Sequence, residues 1–128
     1  MLKQARETRR IVMVDDEPDF ITIARAWLEP KYELVPFTEG TELLHHLGNL
    51  EPDLLILDVR LPGIDGFKLC RRIRADRRFQ SLPILFLTAS HSDIDFFRNL
   101  EAGGTSYLTK PVSRKELLER VQDLLEAA

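Results

Sequence analysis

Two short aliphatic runs that end in aspartate constrain this chain more than any other feature. Ile11-Val12-Met13-Val14 leads into Asp15 and Asp16, and Leu54-Leu55-Ile56-Leu57 leads into Asp58. Runs this brief and this rich in β-branched and aliphatic residues read as strands of a parallel sheet buried on both faces, not as core helices. In open α/β sheets the carboxyl ends of the strands are where ligands bind. Three carboxylates gathered there repel one another and raise one another's pKa unless a cation sits among them. The pattern therefore asks for a hard metal ion.

The rest of the chain alternates strand-like and helix-like segments, which predicts a parallel sheet covered by helices on both faces. A first helix opens at Pro18 and buries Phe20, Ile23, Ala24, Trp27 and Leu28, with Pro30 stopping it. Tyr32 to Phe37 reads as the second strand, after which Thr38 caps a helix burying Leu43, Leu44 and Leu47 and ending at Gly48. The third strand ends at Asp58, and the loop from Val59 to Gly66, with two glycines and a proline, suits a tight turn. Leu69, Cys70 and Ile73 then face inward on a third helix. Pro83 to Thr88 reads as a fourth strand, and Ser92 with Asp95 as a capping pair for a fourth helix carrying Ile94, Phe96, Phe97 and Leu100 up to Gly103-Gly104. Ser106 to Thr109 gives a fifth strand, followed by Lys110-Pro111. Ser113 and Glu116 form a capping box for a last helix burying Leu117, Val121, Leu124 and Leu125.

Several function classes fall away on composition. A chain of 128 residues with 44% hydrophobic and 30% charged residues fits one globular domain. A net charge of −3 gives no general attraction to nucleic acid or anionic lipid. Arg71, Arg72, Arg74, Arg77 and Arg78 make one stretch basic, but it reads as a solvated helix face. The apolar runs are strand-sized, so neither a membrane span nor a secretory signal is expected, and a cytoplasmic location follows by default. Cys70 is the only cysteine, which excludes an internal disulfide and a cysteine-rich metal site. His45 and His46 are adjacent and do not share a helix face, so they read as surface residues.

Strand ends one, three, four and five thus present Asp15 and Asp16, Asp58, Thr88 and Lys110 on one edge of the sheet. Oxygen ligands suit Mg²⁺, which keeps water or phosphate oxygens in its remaining positions. A lysine ammonium and a threonine hydroxyl supply charge and a hydrogen bond to a phosphoryl oxygen. These are most of the parts that phosphoryl transfer needs, and Asp58 is the central candidate for the nucleophile.

Asp15-Asp16, Asp58 followed by Leu61-Pro62-Gly63-Ile64-Asp65-Gly66, Thr88-Ala89 and Tyr107-Leu108-Thr109-Lys110-Pro111 together resemble the receiver domain of bacterial two-component response regulators. The resemblance covers residues 11–128 and leaves residues 1–10 as a polar leader. It implies a flavodoxin-like (βα)5 three-layer sandwich with a five-stranded parallel sheet in the order 2-1-3-4-5. It also implies that Asp58 is the phosphoacceptor for a sensor histidine kinase or phosphotransfer protein. Asp16 and Asp58 would then ligate Mg²⁺ with the backbone carbonyl of Arg60, and Asp15 would help through water. Lys110 would contact the phosphoryl group, its bond to Pro111 would be cis, and Thr88 and Tyr107 would form the switch. The surface of the fourth helix, fifth strand and last helix would change on phosphorylation and is a candidate homodimer face. No effector is named by the sequence, and direct nucleic-acid binding by this domain is not expected.

The chain departs from the family's pattern at Gly104, at Arg60 and Ser90 beside the path of attacking water, at Val112, and at Thr105-Ser106. The last two weaken the expectation of one subfamily's symmetric dimer. Competing readings are a degenerate receiver used only for docking, an aspartyl-phosphate phosphohydrolase, and a flavin- or nucleotide-binding module. Arg60 stands where such hydrolases place a second acid, and the acidic run from Asp15 to Asp19 would repel a nucleotide phosphate. The expected protein is thus a signalling domain whose only chemistry is on itself.

Overall fold

The computed structural model describes residues 8–89 and 102–127. Five strands, β1 (Arg10–Val14), β2 (Glu33–Phe37), β3 (Leu54–Asp58), β4 (Ile84–Thr88) and β5 (Ser106–Thr109), form one parallel sheet in the order β2-β1-β3-β4-β5. Helices α1 (Pro18–Leu28), α2 (Gly40–Leu50), α3 (Gly66–Arg74) and α4 (Arg114–Ala127) cover it, with a short 3-10 turn at Arg77–Phe79. Successive strand residues point to opposite faces. Val12, Val14, Leu55, Leu57 and Phe86 accordingly pack on one side with Leu43 and Leu47 of α2 and Leu69, Cys70 and Ile73 of α3. Ile11, Met13, Leu54, Ile56, Leu85 and Leu87 pack on the other with Ala24 and Leu28 of α1 and Leu117, Val121 and Leu125 of α4. All five residues of β3 and of β4 are buried, as the near-continuous apolar sequence of central parallel strands requires. Pro36 is tolerated in β2 because that strand lies at the sheet edge.

Four sequence expectations change at the level of single residues. Ile23 is 45% exposed. The line through Ala24 and Leu28 faces the sheet, and a step of one residue turns Ile23 to solvent. Thr38 does not cap α2: the N-cap is Glu39, without a side-chain hydrogen bond, and the helix starts where Gly40 abuts Ile64 and Leu69. Gly48 does not end α2, which runs on to Leu50 and stops at Glu51 in the left-handed region, φ 49°. Its missing side chain leaves room for the Arg78 guanidinium instead, and the Arg10 guanidinium donates to the Leu50 carbonyl. Arg74 leaves the solvated face and donates to the Phe79 carbonyl at 2.7 Å and the Gly103 carbonyl at 2.9 Å.

The capping box of the last helix forms: Ser113 N donates to Glu116 Oε1 at 3.0 Å and Glu116 N to Ser113 Oγ at 3.1 Å. Cys70 is buried, donates to the Ala102 carbonyl at 3.1 Å, and has its thiol pushed up to about 11 by burial. Burial and a raised pKa both disfavour the thiolate, the reactive form of cysteine. His45 and His46 are exposed, His46 stacking on Phe37 with ring centroids 5.9 Å apart. The fourth helix expected from Ser92 and Asp95, with Ser90, Phe96 and Phe97, falls outside the described residues. No helix among the described residues is long and apolar enough to cross a membrane.

Candidate functional site

The register of β1, β3, β4 and β5 delivers the chemistry-bearing residues to one edge. Val14 pairs with Leu57, Asp58 with Leu87 and Thr88 with Thr109, so the residues that follow each pairing emerge side by side. Asp15 continues the β1 ladder, its N–H donating to the Phe37 carbonyl at 3.0 Å. Its side chain is 0% exposed and accepts from Glu17 N at 2.9 Å and from Lys110 Nζ at 2.8 Å. Asp58 is 5% exposed and accepts from Arg60 N at 3.2 Å and from Lys110 Nζ at 3.4 Å. Lys110 is itself anchored by its backbone, whose N–H donates to the Thr88 carbonyl at 2.7 Å. The Lys110–Pro111 peptide is cis.

The loop after Asp58 folds back because Gly66 comes within reach of the strand end. A Cβ at Gly66 would lie 2.2 Å from the Asp58 carbonyl oxygen, so only glycine lets α3 begin there. Gly66 N donates to the Val59 carbonyl at 2.9 Å, Gly63 takes φ 74° in the turn, and Asp65 caps α3 by accepting from Lys68 N at 2.9 Å.

Burial raises the pKa of Asp58, and the nearby Asp15 charge raises it further, while Lys110 and the Arg60 N–H oppose the shift. Asp15 is likewise raised by burial, against the pull of its bond from Lys110. Burial acts to lower Lys110, but its bond from Asp15 and the carboxylates around it outweigh that and leave its pKa raised. Carboxylate oxygens of Asp15, Asp16, Glu17 and Asp58 all lie within 4.8 Å of one another. Four acids against one ammonium leave an excess of negative charge at an oxygen-only donor set, which fits a hard divalent cation such as Mg²⁺.

The structure brings Asp15, Asp16, Asp58 and Lys110 together, and a cleft of about 220 Å³ is lined by Asp16, Glu17, Asp58, Arg60, Ala89 and Lys110. Thr88 is buried at the end of β4, and Tyr107 is half-buried against the α2/α3 core, opposite Phe86 in the β4–β5 register. Two participants escaped the sequence reading. Glu17 joins the acidic cluster and approaches Lys110 Nζ at 3.2 Å. The Phe20 ring lies 4.6 Å from the same ammonium. The signal for Glu17 was its place in the run Asp15-Asp16-Glu17-Pro18, where the turn into α1 swings it over the strand tip.

Residues 11–122 match the family model of the response regulator receiver domain. The chain belongs to that family. It is 36% identical over 118 residues to the alkaline phosphatase synthesis transcriptional regulatory protein PhoP of Bacillus subtilis, covering 91% of this chain and 48% of that protein. It is 39% identical over 121 residues to the transcriptional regulatory protein GltR of Pseudomonas aeruginosa, covering 94% of this chain and 50% of that one. The chain thus spans about half the length of the curated relatives it matches. Among solved structures, a putative response regulator from Chloroflexus aurantiacus superposes with a TM-score of 0.90 at 36% identity, covering 94% and 99% of the two chains. The receiver domain of a sensor histidine kinase from Pseudomonas aeruginosa, described with magnesium coordinated in its active-site cleft, gives 0.86 at 31% identity, covering 93% and 98%. The flavodoxin-like architecture and strand order expected from the resemblance are those observed.

Proposed function

We propose that Asp58 accepts a phosphoryl group from a phosphohistidine of a sensor kinase or phosphotransfer protein, and that the chain is a switch whose only catalysis is on itself. The convergence of the Lys110 ammonium and the acidic cluster on the buried Asp58 carboxylate carries this reading. Mg²⁺ would be held by Asp16 and Asp58 with the Arg60 carbonyl, and by Asp15 through water. When bound, it supplies charge neutralisation for the phosphoryl oxygens. An Asp58 carboxylate oxygen attacks phosphorus, the P–N bond to the donor imidazole breaks, and its electron pair stays on nitrogen. Burial leaves the ionised Asp58 poorly solvated, which strengthens it as a nucleophile. Lys110 then pairs with a phosphoryl oxygen and the Thr88 hydroxyl donates to another, with Tyr107 following Thr88 inward.

Residues 11–128 act as the receiver unit in this reading and residues 1–10 as a leader. The fourth-helix, β5 and α4 surface passes the change to an effector or a second copy by biasing two pre-existing states. Relatives described as transcriptional regulators, of which this chain spans about half, support an output on gene expression through another domain; no nucleic-acid contact is proposed for this one.

The test is intact-mass measurement after incubation with Mg²⁺ and acetyl phosphate. The wild type gains one phosphoryl group, chelation of Mg²⁺ abolishes the gain, and Asp58→Asn takes none. A wild type that never gains mass is a docking module, and turnover of unrelated phosphate esters marks a hydrolase.

A further inference from the structure

Lys110 Nζ donates to Asp15 Oδ2 at 2.8 Å, Glu17 Oε1 at 3.2 Å and Asp58 Oδ2 at 3.4 Å, and the Phe20 ring lies 4.6 Å away on a further side. An ammonium has three N–H donors. Each one is therefore committed to a carboxylate before any phosphoryl group arrives. The three acceptors are not equivalent. The Asp15 and Asp58 side chains are 0% and 7% exposed at strand ends, whereas that of Glu17 is 65% exposed on the turn into α1.

A phosphoryl oxygen on Asp58 needs one of these donors. The Asp15 bond is the shortest and most sheltered, and Asp58 bears the phosphoryl group itself, so Glu17 is the partner that yields. An ion pair with one well-exposed member is weak, and exchanging it costs little. We propose that Glu17 is a positioning residue that holds Lys110 in its resting place and competes with the incoming phosphoryl group, acting as a brake on phosphoryl uptake. The proposal rests on Asp58 being the phosphoacceptor. Glu17 also lines the cleft, where its charge alone would slow an anionic donor. Glu17→Asp separates the two effects, because it keeps the charge and shortens the reach by one methylene.

The experiment has two arms. Hydrogen exchange at Lys110 Nζ is read by NMR on ¹⁵N-labelled protein before any donor is added, and the rate of phosphorylation by acetyl phosphate is then measured at saturating Mg²⁺. Glu17→Gln and Glu17→Asp are both expected to speed exchange and to raise the rate roughly two- to fivefold, the scale of one exposed ion pair. Asp19→Asn, which removes an α1 charge outside the acidic cluster, leaves both unchanged. A rate rise in Glu17→Gln alone, or Nζ exchange unaltered in both Glu17 variants, overturns the proposal. A wild type that takes no label sinks the phosphoacceptor reading and the brake with it. The exchange arm tells the two failures apart, because the hold of Glu17 on Lys110 is read without a donor.

Discussion

Asp58 lies in a place that resists ionisation, since burial and the Asp15 charge both raise its pKa. A folded pKa above the ordinary 3.8 means that the protonated carboxyl is the form the fold prefers. That preference stabilises fully below pH 3.8 and is lost as pH rises through the folded value. Asp58→Asn removes the charge and keeps the shape. It should therefore melt above the wild type at pH 7, by about 3–5 °C for each ~1 kcal/mol relieved in a domain of this length. The gap should close as pH falls below 4, and Mg²⁺ should narrow it from the other side by stabilising the wild type, with its extra carboxylate ligand, more than the variant. Thermal melts at several pH values, with and without Mg²⁺, check each part. A variant no more stable than the wild type at pH 7 would mean that Lys110 and the Arg60 N–H already offset the Asp58 charge. Lys110 has a dependence of the same sign at higher pH: its raised pKa gives stability that is present below its unfolded value and lost as pH climbs through the folded one.

The elements explain why Asp58 is legible in the sequence and Glu17 is not. Asp58 ends a run of four aliphatic residues, and strand-end position follows from the run alone. Glu17 stands in the same acidic run as Asp15 and Asp16, but it matters through Lys110, 93 positions away, a contact that no local pattern encodes. The same division holds for helix ends. Ser113 and Glu116 bond each other across one turn, so their pattern is sufficient. Gly48 looks like a stop, yet its bare Cα leaves room for the distant Arg78, and Gly40 at the start of α2 lies where a Cβ would crowd Ile64 and Leu69. Gly66 shows how far such a contact reaches. A methyl there would lie 2.2 Å from the Asp58 carbonyl oxygen and 2.9 Å from the Val59 Cα, both backbone atoms that cannot step aside. Gly66→Ala should cost roughly 2–3 kcal/mol or more in chemical denaturation and should slow phosphorylation by displacing the strand end. A substitution within about 0.5 kcal/mol of the wild type in denaturation would show that the α3 start can slide without strain.

For the molecule as a whole, function follows from strand order. Placing β1, β3, β4 and β5 as consecutive neighbours gathers residues separated by up to 95 positions in sequence, as in the Asp15–Lys110 pair, around one carboxylate. The two cores pack behind that edge on both faces of the sheet, with α2 and α3 on one side and α1 and α4 on the other. Alternation of segments made the parallel sheet readable, whereas its order rested on the family resemblance. The central claim is that this edge directs a phosphoryl group onto Asp58 and nowhere else. Treatment of the acetyl phosphate-reacted protein with borohydride reduces an aspartyl phosphate to homoserine, which peptide mass spectrometry locates. Homoserine at position 58 alone, dependent on Mg²⁺, is the predicted result. Conversion at Asp15 or Asp16, or none at position 58 despite a gain in intact mass, would contradict it.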